Sequence, residues 1–166
     1  MTIYGRTASK YAKFTISDSA STMRDIPVNT FGSVGLTYAE QDASALQDAI
    51  TSVFNGQGSF GITIGGPLDN STAVAESGTG ARPALSGSHT VLADLAGAQV
   101  PKSFGVYLGT QADWATGDPV FGGIKCILVT AYTVDPSNMT YSARIVAAGN
   151  RLHDPAWGTA LITSTS

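Results

Sequence analysis

The segment IKCILVTAYTVDPSNMTYSARIVAA, residues 124–148, decides the fold class. In its second half Met139, Tyr141, Ala143, Ile145 and Ala147 alternate with Thr140, Ser142, Arg144 and Val146. A period of two sends successive side chains to opposite faces of a strand, so one face is buried. The first half, Ile124–Val134, is apolar on both faces and too rich in β-branched and aromatic residues for a good helix. Asp135-Pro136-Ser137-Asn138 between them supplies turn chemistry. The segment therefore predicts a long β-hairpin. Its first strand needs cover on both sides, from the core or from another chain.

Working outward, Phe60, Ile62 and Ile64 alternate with Ser59, Gly61 and Thr63, and Phe104, Val106 and Leu108 with Gly105 and Tyr107. Both predict strands. Lys10–Ile16 and Met23–Val28 predict two more around a turn at Ser17–Ser21. Apolar spacing of three and four over Ala39–Phe54 predicts a flanking α-helix, with Thr37 and Glu40 at capping-box spacing and Asn55-Gly56 as the stop. A short second helix is expected at about His89–Leu95, capped by Ser86 or Ser88. Residues 67–87 (PLDNSTAVAESGTGARPALSG) read as one long loop, beyond ordinary loop lengths. The expected architecture is mainly β: a sandwich or barrel with one flanking helix and a short second one, as a single domain over residues 1–166.

Composition sets the class of surface. Of 166 residues, 43% are hydrophobic but only 13% are charged, against about 25% in an ordinary soluble domain. Small neutral residues fill the gap, with 19 glycines among them. Such a surface is easily desolvated against a neighbour, which points to self-association. Residues 1–24 carry four bases against one acid, a balance of +3, and the remainder five bases against eleven acids, a balance of −6. A basic arm, residues 1–9, and an acidic body can attract between subunits. The acidic total opposes tight phosphate binding. No apolar run reaches the roughly 18 residues of a membrane span, and residues 1–14 lack the apolar stretch of a signal peptide. The lone Cys126 excludes an internal disulfide and sits in an apolar run, as a buried inert thiol would.

Catalytic patterns are missing. Gly56–Gly61 matches G-x-G-x-x-G, but the expected order is helix, glycines, strand, so no helix N-terminus would meet a phosphate. His89 and His153 lack metal spacing, and neither a nucleophile elbow nor a Walker loop is present. His153 beside Asp154 and Pro155 reads as a turn. The expectation is no enzyme, no cofactor and no metal. Trp114 and Trp157 lie in Gly/Pro-rich segments and read as loop anchors, in the core or at a subunit contact.

The order of segments resembles the tail tube (major tail) proteins of long-tailed bacteriophages. FTISDSASTMRDIP (14–27) resembles their opening strand-turn-strand. LTYAEQDASALQDAITSVFNGQGSFGITIGGPLDNS (36–71) resembles their helix, strand and G-P-x-D-N turn. SHTVLADLAG (88–97) resembles their second helix, and the segments 102–135 and 139–148 their closing strands. The resemblance implies a virion tail protein, assembled in the host cytoplasm, whose stacked hexameric rings make a hollow tube for transient passage of double-stranded DNA. It implies tape-measure, tail-tip and tail-terminator partners and no membrane. It also implies an acidic lumen, for which Asp42, Asp48 and Asp69 are candidates. Arg6 and Lys10 of the basic N-terminal stretch, with Ile124, Ile127 and Val129 of the two-sided apolar strand, are candidate inter-subunit residues. A capsid decoration protein, an injection-system tube component and a monomeric ligand-binding sandwich are the competing readings.

Overall fold

A computed structural model describes residues 12–47, 49–50, 52–71, 84–109, 114–149 and 153–162. The chain is mainly β. Its strands are β1 (Ala12–Ser17), β2 (Met23–Ile26), β3 (Thr30–Phe31), β4 (Thr37–Asp42), β5 (Val53–Ser59), β6 (Gly61–Pro67) and β7 (Ala84–Leu85). After the helix α1 (Ser88–Leu95) come β8 (Lys102–Leu108), β9 (Val120–Asp135), β10 (Thr140–Ala147) and β11 (Ala156–Gly158). The main sheet runs β3-β6-β10-β9-β8-β1-β2-β7, with β11 added to β9, and every pairing is antiparallel except β2 with β7. Strands β4 and β5 form a separate two-stranded sheet.

The predicted hairpin of residues 124–148 is β9 and β10. Its turn is tied by Asp135, whose carboxylate accepts the Ser137 N–H at 2.9 Å, and Met139 takes φ 51°. Tyr141, Ala143 and Ile145 point into the core, as the alternation requires. Around them gather Phe14, Phe60, Phe104 and Phe121, with ring centroids 5.1–6.3 Å apart. Val91, Leu92 and Leu95 of α1 close the core. Tyr141 also donates its hydroxyl to the Pro27 carbonyl at 2.8 Å, and burial, with Tyr132 nearby, pushes its phenol pKa upward.

The unbroken apolar run of β9 has a local cause. Between Gly123 and Ile127 the strand advances four residues while β8 advances two, from Phe104 to Lys102. Lys125 sits in this bulge at φ 48°. Between Val129 and Ala131 it advances two while β10 advances one. A bulge resets which face a residue meets, so Cys126, Ile127 and Val129 are all buried. On the other face, the segment 153–162 lies across β8 and β9. Gly105 and Gly122 stand opposite one another in the register, and a Cβ on either would meet Cδ1 of Ile162, at 3.3 and 2.6 Å. Ile162 donates its N–H to the Tyr107 hydroxyl at 3.0 Å. Both faces of this region are thus covered within one chain.

The short second helix is α1, one residue longer than the reading. Its cap differs. The N-cap is Gly87, without a side-chain cap. The free N–H groups are met by carbonyls of the preceding segment: Gly87 by Ser71 and His89 by Asp69. Ser88 instead donates to the Pro67 carbonyl at 3.0 Å. A Cβ on Gly87 would stand 2.5 Å from the Asp69 carbonyl oxygen, which explains glycine there. Of the long loop, residues 72–83 lie outside the described residues.

The helix expected at Ala39–Phe54 is absent, and the described residues there form the hairpin β4–β5. An amphipathic helix is held chiefly by packing its apolar stripe, and α1 already closes the core. The residues read as caps serve cross-strand roles. The Thr37 hydroxyl meets that of Ser59 at 3.0 Å, and Glu40 pairs across from Asn55. Asn55-Gly56 lies within β5 rather than ending a helix. The glycine motif 56–61 therefore spans strand, joint and strand, still without a helix N-terminus after it.

Candidate assembly surface

The β4–β5 hairpin is tied by its own short polar residues. Asp42 accepts the Ser44 N–H at 2.8 Å, and Ser44 and Ser52 bond across the loop through hydroxyl and backbone groups. The backbone and hydroxyl of Ser44 hold the Asp42 carboxyl below its ordinary pKa. A lone two-stranded hairpin is at best marginally stable in water, and this one stands outside the main sheet.

Its apolar residues are uncovered. Leu46 is 106% exposed, Ile50 82%, Val53 55%, Phe54 52% and Tyr38 50%. Register and alternation put Tyr38, Glu40, Asp42 and Val53 on one face and Gln41 and Phe54 on the other. Contiguous exposed apolar surface with polar neighbours marks an interaction site. Residues 37–59 contain acids and no lysine or arginine. The main sheet ends in two further openings, since its edge strands β3 and β7 are two residues each.

Surface grooves adjoin the sheet among the described residues. One, of about 430 Å³, is lined by Lys13, Pro27, Val28, Pro67 and Leu85 among others. A second, of about 410 Å³, lies between β9 and the segment 153–162 and includes Ile124, Trp157 and Leu161. The Trp157 ring packs edge-on against Phe121 at 5.1 Å and is half exposed. Trp114 is a loop anchor: its indole N–H donates to the Asp118 carbonyl at 3.0 Å, and its ring meets Tyr107.

The candidate residues are scattered. Asp42 is exposed on the hairpin. Asp69 sits in the loop that caps α1, where the Ser71 hydroxyl, and then its backbone N–H, lower its carboxyl pKa. Asp48, Arg6 and Lys10, with the arm 1–9, lie outside the described residues. Ile124 is partly exposed at the second groove. Ile127 and Val129, the other candidate inter-subunit residues of this strand, are buried in the chain's own core, where the bulges of β9 turn them inward. Cys126 is buried and free, and burial pushes its thiol pKa up to about 12. Among the described residues no group of His, Cys, Asp and Glu could hold a metal, and no helix is long and apolar enough to cross a membrane.

No family model matches the sequence, and no curated protein does. Solved structures do. A chain of the PVC sheath–tube complex of an extracellular contractile injection system, in the extended state, superposes with TM-score 0.51 at 12% identity over 95% of each chain. The fold is shared. A chain of the tube-terminating cap of the anti-feeding prophage gives TM-score 0.53 at 9% identity, over 96% of this chain and 95% of that one. Both similar chains come from tail-like assemblies, and the likeness spans nearly their whole lengths.

Proposed function

We propose that the protein is a non-catalytic structural subunit of a tail-like tube, in a phage virion or a contractile injection system. Copies associate into rings, six-membered by the family resemblance, and rings stack around a hollow channel through which double-stranded DNA or another cargo passes. Assembly takes place in the host cytoplasm, and tape-measure, tail-tip and terminator proteins complete the particle. The observation that carries the reading is the uncovered β4–β5 hairpin, with Leu46, Ile50, Val53 and Phe54 in water on a fold shared with tube and tube-cap assemblies. A hairpin of this kind is stabilised when a second chain covers it. The main sheet is open at β3 and β7, and closure between neighbours would remove its free edges.

The likeness to a terminating cap favours a second reading, a single ring that ends a tube. Negative-stain microscopy of the purified full chain separates the two. Stacked rings or tubes are expected, closed single rings would establish the cap, and a monodisperse monomer at high concentration would overturn both.

A further inference from the structure

We infer that the groove beside β1 and β2 is the seat for the β4–β5 hairpin of a second copy of this chain. The inference rests on the proposed self-assembly and names its partner surface. The hairpin face bearing Tyr38, Glu40, Asp42 and Val53 combines apolar bulk with two carboxylates. The segment 37–59 holds no base to neutralise them. The groove, of about 430 Å³, offers the complement. Pro27, Val28, Pro67 and Leu85 give it apolar walls, Leu85 being 45% exposed, and Lys13 puts an ammonium at its lining. Asp25 also lines it but is 3% exposed and already engaged within the chain, so Lys13 is the charge an incoming segment meets. The groove beside β9 suits the hairpin less well, since its charged lining is Asp154, which repels Glu40 and Asp42. Opposite charge across a contact fixes register and excludes wrong partners.

Hairpin and groove are different surfaces of one subunit, so the contact is head-to-tail and propagates. Glu40 is the carboxylate for Lys13, because Asp42 is committed to Ser44.

The test uses the full chain carrying Val53→Cys, on the docking face, and Leu85→Cys. Native Cys126 is buried and does not compete. Oxidation is expected to give a ladder of covalent multimers that collapses on reduction, while either single variant gives none. Lys13→Glu and Glu40→Lys, each folded by circular dichroism, should each reduce assembly at least tenfold in critical concentration. The double variant should restore it. Wild-type tubes with no ladder from the cysteine pair would overturn the groove and leave self-assembly standing. A solely intrachain crosslink would overturn it too, by seating the hairpin on its own subunit. A wild-type chain that never assembles would remove both this inference and the function beneath it.

Discussion

Gly122 is the residue on which the outer face of the sheet depends. A Cβ there would lie 2.2 Å from the Phe104 carbonyl oxygen, a backbone atom, and 2.6 Å from Ile162. The first contact cannot be relieved by a side-chain rotation. Overpacking a filled site costs about 1–3 kcal/mol. Gly122→Ala should therefore lower stability in urea by about that amount, and an unchanged midpoint would show that both the β8 backbone and the 153–162 segment yield freely. Residue identity was readable here only in part. The sequence marks Gly122-Gly123 as small, but nothing local reveals that Ile162, forty positions on, fills the space. Cys126 was legible, because an isolated thiol in an apolar run has little else to do than pack.

At the scale of elements, β6 and β10 followed from alternation because one buried face imposes it: they carry Ile62 and Ile64, and Tyr141 and Ile145, inward. The helix α1 followed likewise from Val91, Leu92 and Leu95. The segment 39–54 misled because a stripe at spacing three and four specifies a helix only where a surface receives it. Its β signals were present but subordinate: Thr37-Tyr38, Val53-Phe54 and a serine at either side of the loop. The candidate site itself was the least legible part. Which apolar residues stay in water depends on the hairpin leaving the sheet, not on any local pattern.

The α1 cap carries a pH prediction. Asp69 holds Ser71, and Ser71 in turn accepts the Gly87 N–H and the Thr90 hydroxyl. The folded carboxyl pKa is depressed, so its contribution is complete above the unfolded value near 3.9 and is lost as pH falls through the lower folded one. Amide exchange at Gly87 and His89, probed by a brief acid pulse, should accelerate below that range, and Asp69→Asn should raise it already at neutral pH. Equal protection of the variant at pH 7 would detach Asp69 from the cap.

For the whole molecule, core and assembly surface are separable. Ile127→Ala removes a fully buried side chain and should cost about 2–5 kcal/mol, with loss of tubes only as far as the chain unfolds. Val53→Ser acts on a half-exposed residue of the docking face and should leave the monomer within about 0.5 kcal/mol of the wild type. Its assembly should fail nonetheless. Paired unfolding and light-scattering measurements check the contrast. If Val53→Ser scatters like the wild type at equal concentration, the hairpin is not where subunits meet.

The segment 153–162 is made after the strands it covers. While a ribosome is still translating toward Ile162, Tyr107, Gly105 and Gly122 of the emerging chain stand bare. Neighbouring ribosomes on one message would then hold sticky, half-dressed nascent chains side by side. Docking of Ile162, once it has left the ribosome, withdraws that adhesive face, leaving the hairpin among the apolar surfaces a subunit offers its fellows.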